Sequence, residues 1–178
     1  MFVAAAVILC VVVTVLNLVL TLGVIRRLRD HTERLDGLTH PKSMIEPITG
    51  PGTRPGPFTA RTVDAEAVTG AQLAGGLVGF FSPTCDACHE WLPRFAAAAR
   101  ALPEGRRQAM AVIVAPTDEV AADMVSELRE NVMVVIERDR GPLAAAFKTS
   151  AYPAMCRLGA DGAVTHTGRG AVAVPAEM

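Results

Sequence analysis

The sequence lacks a charge excess, an internal repeat and a rich supply of cysteine. Its 178 residues include 17 basic and 18 acidic side chains, and the formal net charge of -1 gives nucleic acid no electrostatic attraction. Four cysteines, at positions 10, 85, 88 and 156, are too few and too unevenly spaced for a small disulfide-stapled fold. Cys156 and His166 stand alone on predicted strands, without the close-spaced partners of a zinc site, so we predict no metal.

Charge is also absent from the start of the chain. Residues 2–25 form an uncharged run dominated by Val, Leu, Ala and Ile, which is long enough to cross a bilayer core of roughly 30 Å as a helix. The basic start, short apolar core and cleavage site of a signal peptide are not evident. The sequence therefore predicts a retained single-pass transmembrane helix and a location in the cell membrane.

The composition changes again after the predicted transmembrane helix. Residues 26–38 are polar and are predicted to continue as a helical stalk. Residues 39–55 are rich in proline and glycine, which favours an extended linker. The folded domain is predicted at residues 56–170, followed by a C-terminal tail at residues 171–178.

Apolar and amphipathic segments alternate within the predicted domain. Three apolar runs are typical of sheet strands that are covered on both faces, at residues 77–82, 109–115 and 132–136. Helices are predicted at residues 86–101, 117–129 and 141–148. A strand at 58–63 comes first, residues 65–73 are ambiguous, and strands at 154–158 and 163–167 form a hairpin through Gly-Ala-Asp-Gly. The pattern predicts an α/β fold with a central sheet flanked by helices.

The stretch from Leu77 to Pro93 holds the chemically informative motif: a buried strand, a short turn and a helix that starts at Cys85-x-x-Cys88. A Cys-x-x-Cys pair at a helix N-terminus can open and close a disulfide within one turn. Cys85 faces the unpaired amides and the positive end of the helix dipole, which favour its thiolate. Because thiolates attack disulfides, this arrangement predicts thiol–disulfide exchange, with the deeper Cys88 as the resolving thiol.

Residues 56–170 resemble a thioredoxin-fold protein, and the chain is most similar to the membrane-anchored TlpA/ResA-like disulfide reductases, including the MauD-like branch. Besides the cysteine motif, three features carry the resemblance. Pro93 stands five residues after Cys88, where the family has a proline within the helix. Pro57-Phe58 stands at the family's N-terminal hairpin, and Ala151-Tyr152-Pro153 stands at its cis-proline loop.

The resemblance implies a thioredoxin-like sheet and an enzyme that reduces protein disulfides. In the family, the backbone of the residue before the cis-proline pairs with the substrate chain, which implies a substrate-binding role for Tyr152 and Pro153. Pro93 is then a structural residue near the site. Electrons come from a thiol donor, either a thioredoxin-type protein or a membrane thiol relay, and we expect no bound cofactor.

Three positions depart from the family pattern. Thr84 replaces a tryptophan before the first cysteine, Gly79 replaces a buried acid, and Trp91 replaces a glutamate three residues after the second cysteine. No proton acceptor for Cys88 is therefore evident. Asp86 opposes the neighbouring thiolate by like-charge repulsion, so we expect a reducing rather than an oxidising protein.

Three other functions share parts of this motif. Cys85-x-x-Cys88-His89 is the attachment pattern of c-type haem, although here it follows a strand within alternating strands and helices. A peroxiredoxin-like antioxidant needs Pro-x-x-x-Thr-x-x-Cys, which Pro83-Thr84-Cys85 does not match. A non-catalytic thioredoxin-like scaffold is a further alternative. Cys156 is interpreted as a buried, inert strand thiol, with a third redox thiol as the alternative.

The side of the membrane is indicated in two opposite ways. Arg26, Arg27 and Arg29 directly follow the predicted transmembrane helix, and the positive-inside rule places the domain in the cytoplasm. The TlpA/ResA-like resemblance implies an extracytoplasmic domain. We favour the extracytoplasmic side, because the charge rule has exceptions.

Overall fold

The computed structural model describes Thr14 and residues 47–173 of the chain. Thr14, which is helical, belongs to a unit that spans Met1–Ile45, and the other described residues belong to a unit that spans Glu46–Met178. Apart from Thr14, the predicted transmembrane helix, the stalk, the linker up to residue 46 and the tail from residue 174 lie outside the described residues. Within the described residues, no helix has both the length and the apolar character needed to cross a membrane.

Seven strands and four α-helices are formed within residues 47–173. The strands are β1 (Thr59–Arg61), β2 (Ala67–Thr69), β3 (Leu77–Phe81), β4 (Ala109–Val114), β5 (Met133–Glu137), β6 (Ala154–Leu158) and β7 (Val164–Thr167). The helices are α1 (Asp86–Arg100), α2 (Asp118–Leu128), α3 (Pro142–Ala146) and α4 (Arg169–Ala173). The predicted strands and helices are confirmed, with small shifts at their ends. The ambiguous segment forms β2 and a 3-10 helix at Gly70–Leu73.

Five strands form one sheet in the order β5-β4-β3-β6-β7, and β1 pairs with β2 in a separate two-stranded sheet. Strands β3, β4 and β5 are parallel, whereas β6 runs antiparallel to β3, and β7 runs antiparallel to β6. Phe80 of β3 pairs with Ala154 of β6. The end of β3, which leads to Cys85, therefore lies beside the start of β6, which follows Pro153.

Each face of the sheet is covered by its own hydrophobic cluster. Leu77 and Phe81 of β3 point to one face, where α1, α2 and α4 contribute buried side chains, including that of Cys88. Val78 and Phe80 point to the other face, where β2 and α3 contribute buried side chains. This alternation explains why every residue of β3 is buried. The predicted α/β fold with a covered central sheet is confirmed.

The folded domain extends past both predicted boundaries. Ile48 is only 2% exposed, and both the amide and the hydroxyl of Thr49 donate to the Phe147 carbonyl at 2.7 Å, so the domain begins before residue 56. At the other end, α4 crosses residue 170 and buries Ala171 completely. The boundaries shift because a single buried Ile or Ala gives too short an apolar pattern to mark the end of a domain.

Candidate active site

Cys85 caps the N-terminus of α1. The turn after β3 closes when the Cys85 amide donates to the Ser82 carbonyl at 3.1 Å. The Cys85 sulfur accepts a hydrogen bond from the Cys88 amide at 3.3 Å, and its side chain is half-buried. This sulfur therefore lies among the unpaired amides at the positive end of the helix dipole, within reach of solvent.

Cys88 lies one turn further along α1 and is completely buried. Its sulfur accepts a hydrogen bond from the Ser82 amide at 3.4 Å. Burial, followed by the hydrogen bond and charge of Cys85, raises the pKa of Cys88 to about 12, while the Ser82 amide acts in the opposite direction. Both cysteines are free thiols, so the structure shows a reduced pair with one accessible sulfur and one enclosed, protonated sulfur.

The Tyr152–Pro153 loop lies against Cys85. The peptide bond between these two residues is cis, as predicted, and the Cys85 thiol donates a hydrogen bond to the Tyr152 carbonyl at 3.5 Å. Tyr152 also contacts the hydrophobic clusters on both faces of the sheet. Burial raises the pKa of the Tyr152 phenol and nearby negative groups raise it further, so this hydroxyl is protonated at neutral pH.

Gly79, at the position of the family's buried acid, has no room for a side chain. A Cβ atom there would lie 2.6 Å from ring carbons of both Phe81 and Phe95. These rings are fully buried and meet edge to face, with their centroids 5.1 Å apart. The two acids nearest to Cys88 in sequence are exposed on α1. The Cys88 sulfur accepts its hydrogen bond from a backbone amide, that of Ser82, and no carboxylate in the described part of the chain is among the groups that shift its pKa.

A buried carboxylate supports the site from a greater distance. Glu137, at the end of β5, is 8% exposed and accepts hydrogen bonds from the amides of Leu143 and Ala144 at 2.6 and 2.9 Å. It thereby caps α3, because the N-cap residue of that helix, Gly141, has no side chain to do so. Helix α3 leads into the Tyr152 loop. This role was not predicted, although an acid that ends an apolar strand just before Gly-Pro is a usable signal.

Trp91 stands where the family often carries a glutamate, and two arginines lie beside its ring. Arg94 of α1 and Arg169 of α4 place their guanidinium carbons 4.8 and 5.7 Å from the ring centroid. These are the distances of cation–π contacts. Neither arginine was predicted as a site residue, because only the tertiary fold brings α4 beside α1.

Two further candidate residues, His89 and Pro93, lie on α1, whereas Cys156 lies on the opposite face of the sheet. His89 is exposed, and its ring Nε2 lies 3.0 Å from the Pro83 carbonyl oxygen. Pro93 lies within α1, as predicted, and its side chain is exposed. Cys156 is fully buried in the cluster on the other face of the sheet from Cys88, and burial raises its pKa to about 12. The sheet therefore separates Cys156 from the redox pair.

The described residues contain no group of three or more His, Cys, Asp or Glu side chains placed to hold a metal ion. Covalent haem attachment requires both sulfurs of the motif to reach a porphyrin, whereas Cys88 is enclosed by the core. The geometry suits disulfide exchange, because the accessible sulfur of Cys85 lies within one helical turn of the enclosed thiol of Cys88.

Solved structures of other proteins resemble this domain. A secreted Mycobacterium tuberculosis disulfide oxidoreductase homologous to E. coli DsbE is 25% identical, with a TM-score of 0.51 and coverage of 61% of this chain and 80% of that chain. An exposed lipoprotein thioredoxin from Streptococcus pneumoniae is 18% identical, with a TM-score of 0.51 and coverage of 68% and 90%. A thiol:disulfide interchange protein from Bacteroides sp. is 15% identical, with a TM-score of 0.55 and coverage of 70% and 85%.

No protein-family model matches the sequence, and no curated protein matches it. The structural likeness spans more than half of this chain and most of each matched chain. In this chain, the start of α1 and the cis-proline loop meet where the end of β3 lies beside the start of β6, in the middle of the sheet. The described domain therefore has the thioredoxin-like fold of thiol–disulfide oxidoreductases.

Proposed function

We propose that the chain is a membrane-anchored thiol–disulfide oxidoreductase that reduces protein disulfides. The observation that carries this proposal is the asymmetry of the cysteine pair. The Cys85 sulfur is accessible and accepts a hydrogen bond from a helix N-terminal amide, whereas the neighbouring Cys88 sulfur is completely buried. An accessible thiolate that meets the substrate, next to an enclosed thiol that does not, is the arrangement needed for attack followed by resolution.

In the first step, the Cys85 thiolate attacks one sulfur of a substrate disulfide. A bond forms between Cys85 and that sulfur, the substrate disulfide breaks, and the departing sulfur leaves as a thiolate that takes up a proton. The amides at the start of α1 stabilise the negative charge of Cys85 before the attack. The product is a mixed disulfide between enzyme and substrate.

In the second step, Cys88 gives up its proton and attacks the Cys85 sulfur. The Cys85–Cys88 disulfide forms, the mixed disulfide breaks, and the second substrate sulfur leaves as a thiolate that is protonated in turn. Two electrons have then passed from the dithiol to the substrate. A thiol donor, either a thioredoxin-type protein or a membrane thiol relay, must return them before the next cycle.

The Tyr152–Pro153 loop supports the orientation of the substrate. The Tyr152 carbonyl lies 3.5 Å from the Cys85 sulfur, so a substrate backbone that pairs with Tyr152 brings its own cysteine close to the attacking atom. Glu137 acts further away, as a positioning residue that caps the helix leading into this loop.

Asp86 supports the reducing direction. This exposed acid follows Cys85 in the chain, and its charge opposes the thiolate. A dithiol whose thiolate is less stabilised is the stronger reductant, since stabilisation of the reduced form is what makes such a pair oxidising.

The extracytoplasmic placement is part of the same proposal. Residues 2–25 supply the anchor, and two of the matched proteins are described as a secreted oxidoreductase and an exposed lipoprotein thioredoxin. Arg26, Arg27 and Arg29 favour the opposite orientation, so the side of the membrane needs its own test.

The reduction potential of the cysteine pair tests the reaction and its direction. The full chain is equilibrated against glutathione and dithiothreitol buffers, and its thiols are counted by alkylation and mass. A two-electron couple at or below about -250 mV supports a reductase, whereas a couple near about -120 mV would make the protein an oxidant. Absence of any couple would refute disulfide exchange and favour the scaffold.

Cysteine variants test the assigned roles in a protein-disulfide reduction assay. Cys85→Ser abolishes reduction, and Cys88→Ser accumulates the mixed disulfide because nothing resolves it. Cys156→Ala is the matched control and keeps the activity, since Cys156 lies in the cluster on the other face of the sheet. Equal activity of all three variants would refute the assignment.

A membrane-impermeant maleimide tests anchoring and sidedness in intact cells that express the full chain. The half-buried Cys85 is labelled without lysis if the domain is extracytoplasmic, and only after lysis if it is cytoplasmic. Cys88 and Cys156 are buried and stay unlabelled in the folded protein. Recovery of the chain in the soluble fraction would refute the anchor.

A further inference from the structure

Trp91 and its two arginines form a surface feature that the exchange reaction does not use. Trp91 is the single tryptophan of the sequence and is half-buried on α1. Arg94 and Arg169 are both exposed, and their guanidinium carbons lie 4.8 and 5.7 Å from the ring centroid. The ring thus contacts two positively charged groups on the surface. We call these three residues the Trp91 patch.

The Trp91 patch borders the proposed active site. Trp91 follows Cys88 by three residues, which is just under one helical turn. On the other side, the Gly168 amide donates to the Met155 carbonyl at 2.8 Å, which fixes the start of α4 two residues beyond Pro153 on β6. Trp91 also contacts the same hydrophobic cluster that Cys85 and Tyr152 contact. A polypeptide bound at Cys85 therefore has the Trp91 patch within its reach.

Neither arginine of the patch is neutralised within the described part of the chain. The ion pairs among residues 47–173 involve Arg54, Arg106, Arg129 and Arg140. Glu90 stands four residues before Arg94, a spacing that permits pairing on a helix, yet no ion pair forms between them. Arg94 and Arg169 therefore both carry positive charge that no carboxylate among the described residues offsets, and this charge attracts a carboxylate from a bound partner.

From this charge pattern we infer that the Trp91 patch is a recognition site for a carboxylate-bearing segment of the protein whose disulfide Cys85 attacks. This inference rests on the proposed function and adds a substrate class to it. A guanidinium group binds a carboxylate through two parallel hydrogen bonds, and the aromatic ring fixes the guanidinium groups in place. The formal net charge of the sequence is -1, so any preference for acidic substrates has to come from a local patch.

Three synthetic peptides test the preference. Each contains one internal disulfide, and the residues flanking it are all Glu, all Gln or all Lys. The reduced full chain is mixed with each peptide at low ionic strength, and the second-order rate constant of reduction is measured. We expect the Glu peptide to react roughly fivefold faster than the Gln peptide, and the Lys peptide to react more slowly than both. Added salt reduces the ratio of the Glu rate to the Gln rate.

Charge-removing variants locate the preference on the molecule. Arg94→Gln and Arg169→Gln each lower the Glu-to-Gln rate ratio towards one. Arg107→Gln is the matched control, because Arg107 is also exposed but precedes β4, at the end of the sheet away from Cys85. The control keeps the ratio of the unmodified chain. A ratio of one in the unmodified chain, or an equal loss of the ratio in the control, would overturn the inference.

A binding measurement separates this inference from the proposed function. The same peptides with Ser in place of Cys cannot exchange disulfides, but they still bind the patch and change the fluorescence of Trp91. Failure to reduce any of the disulfide peptides would refute the reductase, whereas equal Trp91 responses to the Glu and Gln peptides would refute the patch alone.

Discussion

Gly79 is the position at which a single methyl group tests the packing beneath the redox pair. Thioredoxins carry a buried acid at this position, whereas here the edges of Phe81 and Phe95 occupy the space. A Cβ atom would lie 2.6 Å from both rings, against the 3.5–4.0 Å that non-bonded carbon atoms prefer. Both rings are fully buried, so neither can swing into solvent to make room. Gly79→Ala therefore forces the surrounding core to shift.

The expected loss of stability follows from two opposing contributions. Overpacking a well-packed core costs about 1–3 kcal/mol. Replacing glycine by alanine also stabilises the folded state by about 0.4–1 kcal/mol, because the unfolded chain loses conformational freedom. The net effect of Gly79→Ala is a decrease of about 1.3 kcal/mol in the free energy of unfolding, within limits of about 0 and 2.6 kcal/mol.

Urea unfolding of the full chain, followed by Trp91 fluorescence, measures this decrease. Gly50→Ala is the matched control, because a Cβ atom at Gly50 meets nothing within 4 Å and the substitution keeps only the unfolded-state contribution. Phe95→Leu combined with Gly79→Ala removes one of the two ring edges, so the two substitutions together cost less than the sum of their separate effects. Equal stability of Gly79→Ala and Gly50→Ala would refute the packing explanation.

Three further predictions concern ionisation and capping. Cys156 has a pKa of about 12 when folded but about 8.5 when unfolded, so the unfolded chain loses this proton first. The free energy of unfolding then falls above about pH 8.5 by up to about 1.4 kcal/mol per pH unit. Cys156→Ala removes this contribution and leaves that of Cys88, whose pKa is also raised to about 12, so the slope in urea titrations becomes shallower. An unchanged slope contradicts the assignment. Glu137→Gln lowers stability by about 1–3 kcal/mol because α3 loses its charged cap, while the exposed Glu130→Gln has little effect in the same titration. Substoichiometric iodoacetamide at pH 7.5 labels Cys85 and leaves Cys88 unlabelled in peptide mass mapping, and the reverse order would contradict the assigned roles.

The strands, the helices and the redox motif could be predicted because a continuous stretch of sequence determines each of them. The apolar run at β3 is uninterrupted because both of its faces are covered, so its composition alone marks a central strand. The cysteine pair follows that strand directly, so the end of the strand fixes the site of α1. The Tyr152–Pro153 loop was located through the family resemblance, in which the cis-proline loop stands just before the hairpin.

The features that were not predicted depend on contacts between segments that are apart in the sequence. Ile48 lies in a proline- and glycine-rich stretch whose composition favours a linker, yet it packs in the cluster that contains Phe147. Arg169 and Trp91 meet only because α4 packs beside α1. The cap that Glu137 gives to α3 requires the chain to fold back over Gly141, where a Cβ atom would overlap the glutamate side chain. None of these contacts produces a pattern of alternating apolar and polar residues from which it could be predicted.

The cysteine pair itself explains how Cys88 can lose its proton although no carboxylate of the described residues lies beside it. Because burial and the neighbouring Cys85 raise the pKa of Cys88 to about 12, this thiol is protonated at pH 7.5 and is a poor nucleophile in the reduced pair. Two of the influences that raise its pKa, the hydrogen bond and the charge of Cys85, depend on a free Cys85 sulfur. Formation of the mixed disulfide removes both of them, while the Ser82 amide still stabilises the Cys88 thiolate. In the proposed reaction, the pKa of Cys88 therefore falls at the step that requires its thiolate, although burial, the largest cause, still raises it, and the departing substrate sulfur takes up the proton.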